Sequence, residues 1–144
     1  MQEQNYAKHA MFVPMFHFVL SAIILLSFIG SLVNLWQSWG DHERLYSASL
    51  IAALSVALVL LFVFTRNFPL GAQDRAIRAE ENLRHFVLTG KLLDARLTSG
   101  QITAVRFASD AEFPTLAAQA AAESLAPKDI KQAVKNWRAD WHRV

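Results

Sequence analysis

His17 is the residue whose setting first suggests chemistry. It lies in a long apolar run, three residues after Pro14. An ionisable side chain inside an apolar helix is by default a functional hypothesis, and imidazole is a common ligand for haem and transition metals. A haem held by two histidines needs a second one at matching depth. The next apolar run contains none, so a second copy of the chain would have to supply it. His9, His42, His85 and His142 stand at no ligand spacing. An imidazole near a helix end also costs little, so placement alone accounts for His17, and the chain is expected to need no cofactor or metal.

Two charged groups follow. Asp74, Arg75, Arg78, Glu80 and Glu81 cluster in one stretch. They would serve acid–base chemistry only if brought into a cleft, and the solvated face of a helix explains them. Near the end, Trp137 and Trp141 stand four residues apart among Lys128, Lys131, Lys135 and Arg138. Such a pair can be the core of a small tail, can rest in the headgroup region of a bilayer, or can anchor a protein partner. Lys131, Lys135, Trp137, Arg138 and Trp141 are therefore candidate interaction residues. There is no Walker loop, G-x-G-x-x-G, G-x-S-x-G or H-E-x-x-H, and no cysteine. The chain is not expected to be an enzyme, and no small-molecule substrate is evident. The net charge of +2 and the missing fold signatures argue against nucleic acid.

The elements that must position these residues are set by segregated charge. From Ala10 to Gly40, and again from Leu45 to Thr65, there is no Lys, Arg, Asp or Glu, whereas twelve basic and nine acidic residues lie from Arg66 onward. The stretch Phe18 to Trp36 is nineteen residues long, which as a helix covers about 28 Å, close to the hydrocarbon thickness of a bilayer. The reading is an all-α membrane protein. Residues 1–11 form an N-terminal cytoplasmic segment, and residues 12–66 form a transmembrane hairpin with spans at about 12–36 and 45–65. Residues 67–144 form a cytoplasmic helical tail. The first span is longer than a signal-peptide core and no A-x-A-like site closes it, so it is read as retained. Trp36, Trp39 and Tyr46 cluster at the loop end as an aromatic belt would. Lys8, Arg66, Arg75, Arg78 and Arg84 outweigh Arg44, which puts both termini in the cytoplasm.

Within the spans, His17, Ser21, Ser27, Gly30, Ser31 and Asn34 share about half of one helix. Ser49, Ala53 and Ala57 form a small-residue line on the other. Hairpin packing explains both, and a self-association or docking face is the functional alternative. His17, Ser27, Ser31 and Asn34 are the candidate intramembrane polar contacts. In the tail, Asn67-Phe68-Pro69 is expected to end or bend the second helix. A helix from Leu70 to Leu88 would then bury Leu70, Ile77, Leu83, Phe86 and Val87, and expose Asp74, Arg75, Arg78, Glu80, Glu81 and Arg84, with Glu80 pairing Arg84. Gly90 is the stop. Capping boxes at Thr98–Gln101 and Ser109–Glu112 start two further helices, the second at about 110–125. A last helix, about 127–142, would line up Ile130, Val134, Trp137 and Trp141.

Several short words of this sequence are familiar together: Gln4-Asn5-Tyr6-Ala7 with His9, Val13-Pro14-Met15-Phe16-His17-Phe18, and Gln73-Asp74-Arg75-Ala76-Ile77-Arg78-Ala79-Glu80-Glu81. So are Arg106-Phe107-Ala108-Ser109-Asp110 and the ending Asn136-Trp137-Arg138-Ala139-Asp140 with Arg143-Val144. Across nearly the whole chain they resemble a bacterial family of small two-span membrane proteins (domain of unknown function 6526). The resemblance implies an inner-membrane location and a cytoplasmic helical tail. It carries no activity or catalytic residue, but adds Arg75, Arg78, Arg106 and Asp110 to the candidate interaction residues. The expected role is an accessory or scaffold subunit docking through its tail on a protein partner or as a homo-oligomer. The alternative is a lipid-binding or sensor module using the terminal Trp/basic helix, and a weaker one is a redox or haem-linked subunit.

Overall fold

The computed structural model describes residues 4–9 and 11–140. These are all-helical apart from one isolated bridge between Ala108 and Trp137. A 3-10 turn at Tyr6–Lys8 and a π-helical turn at Met15–Leu20 precede α1 (Ser21–Gln37). Then come α2 (His42–Thr89), α3 (Ser99–Val105), α4 (Phe113–Glu123) and α5 (Pro127–Ala133). The stretch Met15–Gln37 and α2 are both long and apolar enough to cross a bilayer. The chain forms two compact units. Residues 11–68 make one, and the residues before them join those from Pro69 onward to make the other.

In the first unit the buried and half-buried positions recur at alternating spacings of three and four. In α1 they are Ser21, Ile24, Phe28, Ser31 and Leu35; in the first part of α2 they are Leu45, Ala48, Ala52, Ser55, Val59 and Phe62. This periodicity is that of one face of each helix turned to a neighbour. Phe16, in the π turn, stacks on Phe62 with ring centroids 4.6 Å apart. Gly40, at φ +97°, makes the tight turn between α1 and α2, and Asp41 Oδ1 accepts from Arg44 N–H at 3.2 Å. The small-residue line that packs is Ala48, Ala52 and Ser55; the expected Ser49, Ala53 and Ala57 lie outward. Among the candidate polar contacts Ser31 is buried and His17 half-buried, while Ser27 and Asn34 are exposed. The Ser31 hydroxyl donates to its own helix at Phe28 O, 2.7 Å away.

The second unit has a core of Ile77 from α2, Leu93 and Leu97 from the following loop, Ile102 and Val105 from α3, Phe113, Leu116 and Ala120 from α4, and Ile130 from α5. Three expectations change here, and two hold. The helix does not end at Asn67-Phe68-Pro69: α2 continues to Thr89, because one missing N–H leaves the neighbouring turns intact. Gly90, at φ +73°, stops it, and its N–H reaches Phe86 O at 2.8 Å. The capping box at Thr98–Gln101 forms with both reciprocal bonds. The one at Ser109–Glu112 does not: α4 starts at Phe113, the Ser109 hydroxyl makes no hydrogen bond among the described residues, and the Glu112 carboxylate turns to the N–H groups of Lys135 and Asn136. Those two N–H groups are thereby taken from the last helix. Accordingly α5 stops at Ala133, Val134 turns to extended backbone, and Trp137 is not on a helix.

Candidate functional site

The side of α2 that enters the core is marked by Ile77, Glu81 and Arg84, at spacings of four and three. It places two charged residues where the sequence suggests apolar ones. Glu81 is 5% exposed, whereas Leu83, Phe86 and Val87, expected inside, are 64%, 51% and 75% exposed. The reason is what the guanidinium of Arg84 does. Its Nε and Nη2 meet Asp110 Oδ1 at 2.7 and 2.6 Å, and Nη1 donates to Glu81 Oε2 at 3.0 Å. The same fork donates to two backbone carbonyls, Ala108 O at 2.7 Å and Arg106 O at 3.3 Å. It also lies 4.3 Å from the centre of the Phe113 ring. One planar, five-donor group thus ties α2 to the turn between α3 and α4. Arg84 pairs with Glu81 one turn back rather than with Glu80.

Glu81 also faces Arg138, 3.6 Å away, and Arg106 Nε lies 3.0 Å from Asp140 Oδ2. Burial pushes the Glu81 carboxyl above its ordinary value, against the opposing pull of Arg84, Arg138 and Arg106. Ile77, Glu80, Glu81, Arg106, Arg138, Ala139 and Asp140 line a cavity of about 350 Å³ whose walls carry both charge signs. Four of these residues are ion-paired across it, Glu81 with Arg138 and Arg106 with Asp140, so the pairs hold segments together. At the N-terminal side of α4, partial desolvation would raise Glu112, but hydrogen bonds from Asn136 and Lys135 hold it below its ordinary range.

The second cluster is aromatic. Trp137 packs on Phe107 with ring centroids 5.0 Å apart and lies 6.0 Å from His9. His9 also stacks on Tyr6, and Lys131 Nζ lies 3.2 Å from its Nε2. Gln4 closes the arrangement. Its Oε1 accepts from Asp140 N–H at 2.8 Å and its Nε2 donates to Asp140 O. The N-terminal residues are thus part of the tail unit.

Of the candidate interaction residues, Arg106, Asp110 and Arg138 come together around Glu81 and Arg84, and Lys131 and Trp137 meet around Phe107 and His9. Arg75 and Arg78 are exposed on α2, and Lys135 contributes its backbone N–H to Glu112. Trp141 lies outside the described residues. The terminal Trp/basic helix is corrected by the early end of α5, and Trp137 is half-buried against Phe107. Sequence reasoning missed Gln4, His9 and Asp140, left Phe107 without a role, and put Glu81 and Arg84 on the solvated face. The spacing Ile77–Glu81–Arg84 was the available signal for two of them. His17 Nδ1 lies 3.0 Å from both the N and O of Val13, within its own turn, and no cluster of three metal-ligand side chains occurs among the described residues.

The model of a family of unknown function (DUF6526) matches residues 1–144, and the chain belongs to that family. No curated protein and no solved structure matches it.

Proposed function

We propose that this member of the family is a non-enzymatic accessory or scaffold protein of a bacterial inner membrane. On this reading a two-helix hairpin anchors it, and a cytoplasmic helical unit docks on other protein. The observation that carries the reading is the pairing of Gln4 with Asp140. The segment before the first apolar helix and the segment that closes the tail belong to one compact unit, with both apolar stretches between them in sequence. Two crossings return the chain to the side it started from. A single crossing would separate Gln4 from Asp140 by a bilayer.

Burial supports the anchor. Only 6% of the most apolar window of Met15–Gln37 and 17% of that of α2 is buried, whereas helices in a soluble core are mostly covered. The scaffold role is supported by what the tail's charges do: the buried Glu81 and Arg106 and the half-buried Arg84 hold the fold together. The positive-inside bias supports the cytoplasmic side for the tail.

The test has two parts. Membranes of the native host are washed with alkaline carbonate, and the tagged chain is then purified in mild detergent and its companions identified by mass spectrometry. Retention in the pellet with a reproducible companion, or a multimer of the chain itself, is the expected result. Release by carbonate sinks the anchor; a lone monomer sinks the scaffold.

A further inference from the structure

The face of α2 opposite the tail core is unpartnered. Ala72, Ala76, Ala79, Leu83 and Phe86 recur at spacings of 4, 3, 4 and 3, and all are exposed. Exposed large apolar residues grouped on one face mark an interaction site, and this spacing is the seam of a coiled coil. We propose that the face is the interface of a parallel homodimer of this chain. The inference rests on the scaffold reading and names its partner as a second copy.

Charge selects that partner. Arg75 flanks the seam on one side and Glu80 on the other. They stand about 140° apart around the helix, so they cannot meet within one chain. Neither forms an ion pair among the described residues. In a parallel two-stranded coil, a residue just before one seam position faces the residue five further on in the other helix. Arg75 of one copy then meets Glu80 of the other, twice, by the two-fold axis. The sequence is complementary to itself in this register. An unrelated helix would have to bring matching charges of its own, and a lipid surface would gain nothing from Glu80. The alanines let the backbones approach, and Leu83 and Phe86 fill the widening end. Two copies inserted with the same orientation in one bilayer present α2 in the parallel sense that the register requires.

The chain has no cysteine, so single cysteines report cleanly. Ala79→Cys on the seam and Arg78→Cys beside it are oxidised in native membranes of cells making the full chain. A dimer-sized product for Ala79→Cys, several-fold above that for Arg78→Cys, is expected. Adding Arg75→Glu or Glu80→Arg to Ala79→Cys should cut the product by roughly two- to fivefold, the range of an exposed ion pair, and adding both should restore it. Equal cross-linking at the two positions, no product, a product containing a different protein, or no restoration by the double swap each overturns the dimer. A carbonate wash of the same samples reads the anchor separately: a monomer that stays in the membrane defeats only the dimer, and a dimer that washes off defeats only the anchor.

Discussion

Glu81 is a carboxylate placed where a helix normally buries an aliphatic side chain, and its surroundings decide what that costs. Because burial raises its pKa, the folded state favours the protonated form more than the unfolded chain does. The stability this group contributes is therefore full below the ordinary carboxyl value and is lost as pH rises through the raised one. Glu81→Gln removes that dependence. Glu112 is held low and Asp94 sits at about 2 beside Arg96; both act in the opposite sense, but they are present in both proteins and cancel. The stability of Glu81→Gln relative to wild type, from unfolding curves across the carboxyl range, should rise with pH; a flat difference would refute the shift. Arg84→Ala should be far worse. It takes from the buried Glu81 its hydrogen-bonded partner and strips donors from two carbonyls, a loss of about 3–5 kcal/mol by comparison with other broken buried pairs. The same unfolding curves measure it, and a cost below that of an ordinary surface change would mean the Arg84 network is dispensable.

At the scale of elements, the two capping sequences separate local propensity from tertiary demand. Thr98→Ala breaks a formed box and should lower stability by about 1 kcal/mol. Ser109→Ala should cost little or nothing, since its hydroxyl caps no helix; a loss as large as that of Thr98→Ala would contradict the observed geometry. The end of α4 offers the converse case. Ser124 adopts φ +52° while Leu125 N–H reaches back to Ala120 O at 3.2 Å, the wrapping bond of a left-handed helix stop. Glycine suits that backbone better, so Ser124→Gly should raise the melting temperature slightly, by the equivalent of about 1 kcal/mol or less. Gln101 shows why these helices hold their positions. Its Oε1 completes the α3 cap, and its Nε2 donates to Leu125 O at 2.9 Å just past the end of α4.

At the scale of the whole molecule, the tail unit is completed from the other end of the sequence. Removing residues 1–9 takes away Gln4 and His9, and with them the partner of the Asp140 backbone and one neighbour of Trp137. Hydrogen-exchange mass spectrometry should then show faster exchange over 136–140, with α3 and α4 nearly unchanged. Unaltered protection at 136–140 would mean that the N-terminal segment is a passive neighbour. Such a dependence also bears on the tail as a docking element, because a tail expressed alone lacks part of its own packing.

How much of this was legible beforehand follows from the range of each force. The apolar stretches, the stop at Gly90 and the Thr98 cap depend on residues within a few positions of one another, so the sequence by itself determined them. The failed Ser109 box, the short α5, and the inward placement of Glu81 and Arg84 depend on partners twenty or more residues away. The Glu112 carboxylate reaches Lys135 and Asn136, and Arg84 reaches Arg106, Ala108 and Asp110. A capping serine is a local preference of about a kilocalorie, and satisfying several buried N–H and C=O groups at once outweighs it. Only the tertiary structure could decide which side of α2 faces inward, because the choice turned on where a guanidinium finds acceptors rather than on which side chains are apolar.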